Sequence, residues 1–382
     1  MDKKNKNPNV PNLRFSSFTD LFRLYTLKDV LQRVSIPVNV EENKLYYQIG
    51  IRSHSKGIFH KEAETGKQIG NKRIFWIEPN CLILNIVFAW EQAVAKTSEK
   101  EVGMVASHRF PMYKVLNNSL DYIVDFFKTE KGKQLLQMAS PGGAGRNKTL
   151  NQDFFLNSKI YLPSLNEQLK TSNLIELIED RIETQIKIID TLLSEMNSIR
   201  SLIFNKSSLK WIPLKDIVAE QDIKLKRGKV IPKHKKNLKY IYPVYSSSIT
   251  NSGLMGYSDS YMFNQELITW SIDGGGNFFY RKKHKFNITN VSGYMILNEN
   301  LFNYQFIVQS LIWQHEKLKF DYQTKAHPSV VESLYKIPIM DLEEQHKYAC
   351  LFSNLNEKYE LELHILDLLN MQKKYLLKNM FV

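Results

Sequence analysis

The sequence predicts an α/β (α+β) protein: two similar mixed α/β modules separated by two long antiparallel coiled-coil helices, the whole an internal pseudo-two-fold repeat. Three observations predict it. Residues 159–204 superpose on 336–381 without a gap. Both stretches carry apolar residues at heptad spacing. Positive charge collects in the two blocks outside them. The boundaries that follow are 1–160 for the first module, 161–206 for a central spacer helix, 207–336 for the second module and 337–382 for a C-terminal spacer helix.

The charge arithmetic supports the division. The 382 residues hold 52 Lys+Arg and 39 Asp+Glu, net +13. Residues 1–165 carry 24 basic and 15 acidic groups (+9), 166–204 carry 4 and 7 (−3), 205–340 carry 19 and 10 (+9), and 341–382 carry 5 and 7 (−2). Two basic modules joined by mildly acidic spacers fit two contacts along one polyanion, nucleic acid before anionic membrane. The plainer alternative is that Glu-rich helices leave the remainder basic by default.

In the first module, short apolar and aromatic runs read as strands: Leu45 to Ile51, Arg73 to Ile77 and Cys81 to Val87. A helix is predicted from Leu120 to Met138. Two cysteines, Cys81 and Cys350, cannot build a disulfide framework or a Cys-rich zinc site. The glycine-rich stretch 141–148 allows close backbone approach, and Arg146, Asn147 and Lys148 beside it are candidate DNA contacts. Arg and Asn are the side chains that pair with guanine and adenine edges. A tight structural turn is the alternative. The stretch lacks the spacing of a Walker A loop.

The central helix starts near Ser164, whose spacing to Glu167 is that of a capping box. Its stripe runs through Ile175, Ile178, Ile182, Gln185, Ile189, Leu192, Met196, Ile199 and Ile203, with Gln185 the one polar member. No Gly or Pro interrupts residues 164–204, about 58 Å of helix at 1.5 Å per residue.

The second module opens with Trp211-Ile-Pro-Leu-Lys-Asp-Ile217, which echoes Leu24-Tyr-Thr-Leu-Lys-Asp-Val30. Strands are predicted over 240–245, 266–272, 278–280 and 293–297, and a helix over 306–318. Two cationic clusters are candidate DNA contacts: Lys224, Lys226, Arg227, Lys229, Lys233, Lys235 and Lys236, then Arg281, Lys282 and Lys283, with Lys325 near a comparable turn. Both clusters read as loops that hold phosphates, which position a protein without specifying a base. A solvated basic face is the alternative for any one of these lysines.

The last helix has its own cap spacing, Asp341 with Glu344, and a weaker stripe: Phe352, Leu355, Tyr359, Glu362, Leu366, Leu369, Lys373, Leu376 and Met380. In the repeat, Gln185 falls on Glu362, and 12 of 46 positions are identical. Two such stripes cannot stay in water. About nine half-buried residues on each, at about one to two kcal/mol apiece, favour pairing. The residues expected to pair are Ile175, Ile178, Ile182, Ile189, Leu192, Met196 and Ile199 with Leu355, Tyr359, Leu366, Leu369 and Leu376. Packing of each helix on its own module, or dimerisation of the chain, are the alternatives.

Catalytic signatures are missing. There is no H-E-x-x-H, no His/Cys cluster, no G-x-S-x-G and no Asn-Pro-Pro-aromatic tetrapeptide. A nuclease reading can be forced on Asp216, Asp222 and Lys224, but such trios arise often by chance. No membrane-spanning segment and no secretory leader are expected, which places the protein in the cytoplasm.

The duplicated plan, Leu162-Pro-Ser-Leu-Asn-Glu-Gln168, its partner Ile337-Pro-Ile-Met-Asp-Leu-Glu-Glu-Gln345 and the heptad helix after each resemble the specificity subunits of type I restriction–modification systems. Gly57-Ile-Phe59 and Phe88-Ala-Trp-Glu91 are similar to that family too. The resemblance covers nearly the whole chain. It implies two target-recognition domains, each reading half of a split site in double-stranded DNA. The helices would serve as a ruler. Two methyltransferase subunits would dock around them, and endonuclease/translocase subunits would join for cleavage. Methyl donor and ATP would bind those partners, leaving this chain with no cofactor, no metal and no catalytic residue. Three departures stand out: Tyr161 faces Pro338 in the repeat, Pro163 faces Met340, and Glu362 and Lys373 interrupt the second stripe. The competing readings are a stand-alone nucleic-acid-modifying enzyme or nuclease, and a structural coiled-coil protein.

Overall fold

The computed structural model describes residues 9–142, 148–248, 250–273, 275–318 and 325–382. The chain divides into two compact units, Met1–Thr184 with Leu366–Val382 and Gln185–Ile365. Each long helix therefore contributes one part to each unit.

The first unit is built on β1 (Arg23–Thr26), β2 (Leu31–Val34), β3 (Leu82–Leu84), β4 (Val94–Lys96), β5 (Met112–Val115), α1 (Leu120–Lys128), α2 (Glu130–Met138) and β6 (Lys159–Leu162). An antiparallel sheet of order β2-β5-β3-β4 forms its centre, with smaller two-stranded ladders beside it. The single helix expected over 120–138 breaks at Thr129, whose extended backbone ends α1 and whose Oγ1 caps α2 by accepting from the Gly132 amide. Gly132 is required at that corner, because a Cβ there would sit 2.2 Å from the Phe126 carbonyl oxygen. Leu82, Leu84, Tyr113, Tyr122, Phe126, Phe127 and Phe155 fill the core, joined by Ile175, Ile178, Leu376, Met380 and Phe381 from the long helices. The amino-terminal segment closes this unit: the Leu13 amide donates to the Asn379 carbonyl at 2.9 Å.

The central helix α3 runs Leu165–Phe204. The expected capping box gives way to other bonds: both Glu167 carboxylate oxygens accept from Arg14 at 2.7 Å, and the Glu167 amide donates to the Ser164 carbonyl at 3.0 Å. The second unit follows with β7 (Lys210–Pro213), β8 (Ile223–Arg227), β9 (Tyr242–Tyr245), β10 (Leu254–Ser258), β11 (Phe263–Ser271), β12 (Phe278–Ile288), β13 (Ser292–Leu297), α4 (Tyr304–His315), β14 (Lys336–Ile339) and α5 (Leu342–Asn379). Six strands pair in the order β8-β13-β11-β12-β9-β10, antiparallel except for β9 with β12. Trp270, Phe278, Met295, Phe306, Ile307 and Leu311 pack under that sheet with Ile203, Phe204 and Phe352 of the long helices.

The repeat is visible in the backbone. Strand β1 pairs with β6 and β7 with β14, and the registers correspond: Leu24 opposes Tyr161, and Trp211 opposes Pro338. The next bond is duplicated as well, Leu27 N–H to Ser158 O and Leu214 N–H to Tyr335 O, each at 2.9 Å. Each unit thus fastens the two ends of its module with the same short ladder before a long helix begins. The sheets beyond differ, four strands in one and six in the other.

Within each unit the helix halves pack antiparallel. In the first, Glu179 of α3 meets Lys373 of α5 at 2.7 Å. In the second, Gln185 bonds Glu362 and Lys206 bonds the Tyr348 hydroxyl at 3.1 Å, so one number rises as the other falls. Ile175, Ile178, Ile189, Leu192 and Met196 are buried, and Ile182 and Ile199 half-buried. Leu369 and Leu376 are buried, whereas Leu355, Tyr359 and Leu366 are half-buried, so the stripe that is weaker in sequence is also the wetter one. The polar interruptions are matched with partners. Gln185 Nε2 donates to the Glu362 carboxylate at 2.6 Å and to its carbonyl at 3.0 Å, and Lys373 finds Glu179.

Replacing Gln185 alone by Leu strands the Glu362 carboxylate in a half-buried seam. It should lower stability by about 1–3 kcal/mol. Pairing Q185L with E362L should recover most of the loss. Urea denaturation of the two variants checks this.

Candidate nucleic-acid interface

In the second unit, β8 carries Lys224 and Lys226 on its exposed face while Ile223 and Leu225 point into the core. These residues belong to a strand, not to the loop expected for them. Period-two alternation of Ile-Lys-Leu-Lys is the strand signal that the charge run concealed. Arg227 donates twice to the Asn290 carbonyl, at 2.8 and 3.1 Å. Beyond it the chain crosses the sheet edge. A bridge between His234 and Tyr257 pins the crossing, which leaves Lys229, Lys233, Lys235 and Lys236 exposed.

This crossing segment and the β9–β10 edge interleave cations with aromatic rings. His234 stacks on Tyr240 with centroids 3.9 Å apart. Lys239 lies over Tyr240 at 5.4 Å, Lys236 over Tyr257 at 5.5 Å, and Lys285 over Tyr261 at 4.8 Å. Tyr242 packs on Tyr261 at 5.2 Å. Such a surface offers ammonium groups for phosphates and ring faces for sugars or bases. The four tyrosines were not singled out from the sequence, although Tyr240 and Tyr242 share one face of the strand-like run 240–245 and could have been.

The second cationic cluster does not stay together. It lies inside the 11-residue strand β12 rather than in a loop. Arg281 is 5% exposed, so its reading as a DNA contact is corrected to a structural one. Its Nε donates to Thr269 Oγ1 at 3.0 Å and its Nη2 to the Ser252 carbonyl at 2.7 Å, with the Tyr245 ring 3.8 Å away. Burial pulls the guanidinium down to about 10, with Tyr245 only partly opposing it. Lys282 pairs with Glu357 and Lys325 with Asp273, each at 3.3 Å. Lys283 is exposed.

In the first unit, Lys148 sits over the Trp90 ring at 5.3 Å. Arg146 and Asn147 lie outside the described residues. This unit also holds a chain of ion pairs, Asp125–Lys128–Glu179–Lys373, with spacings of 2.8, 2.9 and 2.7 Å. It ties α1 to both long helices. Burial pushes the Asp125 carboxyl up to about 6, and Lys128 offsets only part of that. Burial also opposes ionisation of Glu179, yet Lys128 and Lys373 hold it below its usual value.

Cys81 and Asp222 serve the structure of their modules. The Cys81 thiol is buried and pushed up to about 11 by that burial, the opposite of an activated nucleophile. Asp222 accepts from Asn298 at 2.7 Å, a bond that fastens the end of β13. Among the described residues no cluster of three or more His, Cys, Asp or Glu side chains could hold a metal ion. Among the same residues no helix is long and apolar enough to cross a membrane.

A duplicated α/β module on paired helices, with a basic–aromatic face on one module, defines a class of two-module scaffold. Comparison with known proteins shows what the chain is similar to. Residues 210–371 match the family described as the type I restriction modification DNA specificity domain. A Mycoplasma pneumoniae protein described as a candidate type I specificity subunit is 33% identical over 132 residues, 31% of this chain and 41% of that protein. Another from the same organism, the N-terminal part of such a subunit, is 36% identical over 106 residues, 27% and 54% of the two chains. The chain spans about half the length of the curated relatives it matches. In fold it is similar to the S subunit of a type I restriction-modification system from M. genitalium, with a TM-score of 0.65 at 15% identity over 98% of this chain and 99% of that one. A structure from a study of type I system assembly gives 0.57 at 12% identity, covering 93% and 96%. Residues 210–371 are thus similar to that specificity domain, and the chain as a whole shares the fold of these S subunits.

The Asp125 carboxyl makes a prediction with a definite sign. The native group keeps its proton up to about pH 6, while the unfolded one releases it near 3.8. Its contribution is therefore fully present below pH 3.8 and lost as pH rises through 6, up to about 3 kcal/mol. Asp125→Asn should flatten the stability profile over that window, as thermal melts taken at several pH values would show. Arg281→Ala should lower the melting temperature clearly and Lys283→Ala hardly at all, since only the first empties a buried site and removes the donor to the buried Thr269 Oγ1.

Proposed function

We propose that this chain is the sequence-specific DNA-recognition subunit of a type I restriction–modification complex, with no reaction of its own. Each module reads one half of a split site in double-stranded DNA, and the paired helices set the gap between the halves. The observation that carries the reading is the duplicated frame. Two modules are each closed by the same ladder in the same register, and each leads into a long helix whose stripe packs on the other. One reading head copied once suits a bipartite target.

The basic–aromatic face of the second module supplies phosphate contacts through Lys236, Lys239 and Lys285. Arg146, Asn147, Lys148, Lys224, Lys226, Lys229, Lys233, Lys235 and Lys283 remain candidates for the same duty. Docking of partners is supported by apolar side chains left exposed on the outer faces of the long helices. Leu169, Leu177 and Leu202 of α3 and Leu361, Met371 and Tyr375 of α5 are more than half exposed. Two methyltransferase subunits would cover such faces, one for each copy of the repeat, and endonuclease/translocase subunits would join them. Methyl donor and ATP would be bound by those partners, in the cytoplasm.

Removing one matched heptad from both helices should change the preferred gap between half-sites and leave each half-site sequence intact. An unchanged gap in a DNA-selection experiment would refute the ruler. Changing Lys236, Lys239 and Lys285 together to Gln should weaken binding to all duplexes and reduce the salt slope by about 2–3. Loss of one base preference at constant slope would contradict the phosphate role.

A further inference from the structure

Each long helix carries a glutamine at its fourth residue, Gln168 in α3 and Gln345 in α5, 177 positions apart as the repeat requires. Both are buried, at 1% and 0% exposure. Each amide makes the same three kinds of bond. Gln168 Oε1 accepts the backbone N–H of Ser119, and Gln345 Oε1 accepts that of Asn303, each at 2.9 Å. Ser119 and Asn303 are the N-cap residues of α1 and α4, the first long helix after the strands in each module. The Nε2 groups donate to the carbonyl five residues back, Pro163 at 3.0 Å and Met340 at 2.9 Å, where the short ladder hands over to the long helix. The remaining hydrogen goes to Asn118 Oδ1 at 2.7 Å in one unit and to the Leu301 carbonyl at 2.9 Å in the other.

One primary amide thus ties three segments: the module helix, the end of the ladder and the spacer helix. The site demands one acceptor and two donors in a plane, and of the neutral side chains only an amide provides them. Sequence identity alone does not explain the coincidence. The neighbouring glutamates are also identical in the repeat, yet Glu167 is buried on Arg14 while Glu344 is exposed and accepts from the Tyr348 hydroxyl. The glutamates have diverged in role; the glutamines have not.

We infer that Gln168 and Gln345 are positioning residues that fix the angle at which each recognition module is carried on its spacer helix, and so set how strictly the gap between half-sites is read. The inference rests on the functional reading above. Each base pair added to the gap turns a half-site by about 35° and moves it by about 3.4 Å, so a loosened joint should relax the choice of gap before it alters either half-site.

The test is selection from a random duplex DNA library by the full chain, as wild type, Gln345→Met and Gln345→Glu. Wild type should enrich two half-sites at one gap. Gln345→Met, which has similar bulk and no donors, should enrich the same half-sites with gap discrimination reduced about tenfold. Gln345→Glu should behave likewise at about pH 8, then recover discrimination towards pH 5, where a protonated carboxyl again offers a donor beside an acceptor. Weaker binding at every gap with the wild-type gap preference kept would mean a purely structural role and would overturn the inference. If Gln345→Met does not fold, the pH dependence of Gln345→Glu against wild type decides. Should wild type itself enrich no split site, the functional reading fails first and takes this one with it.

Discussion

The structure depends on one constraint: two helices of 40 and 38 residues each carry an apolar stripe that water will not tolerate. In each unit a half of one covers a half of the other. Ile175 and Ile178 share a core with Leu376 and Met380, and Ile203 and Phe204 share one with Phe352. Because the stripes also enter the module cores, helix pairing and module folding are not separable events. The polar residues in the seam do not weaken this. Gln185 with Glu362 and Glu179 with Lys373 are matched across it, and such pairs disfavour any other register more than they add stability.

From that pairing follows a division of labour between frame and payload. The ladders at the base of each module keep the same register, down to the opposed pairs Leu24–Tyr161 and Trp211–Pro338. The sheets they carry do not match: four short strands in one unit, six in the other, with strands of 9 and 11 residues. A frame must return to the same geometry in both copies, so its hydrogen bonds are fixed. On the proposed function, the surfaces that the frame carries are free to diverge, because each would fit a different half-site.

The frame was legible in the sequence and the surface was not. Heptad spacing and a gapless internal repeat are long-range regularities, and each position confirms the others. The candidate DNA contacts offered only local composition. Lys224 and Lys226 looked like a loop because charge masked the alternation with Ile223 and Leu225. Arg281 looked like a surface cation because nothing local reveals that Thr269 awaits it inside. The break at Thr129 was hidden for a different reason. Its cause is a close approach between Gly132 and the preceding turn, which only the folded chain displays. The tyrosines at 240, 242, 257 and 261 converge through strand pairing between residues distant in sequence, which a composition count cannot see.

The most direct test of the whole account is a base-resolution map of methylated positions in DNA from cells with this gene and from cells lacking it. The account predicts one split motif, two short half-sites at a constant gap, modified in the first sample and unmodified in the second. A continuous motif, or a methylation pattern that does not change when the gene is lost, would contradict it.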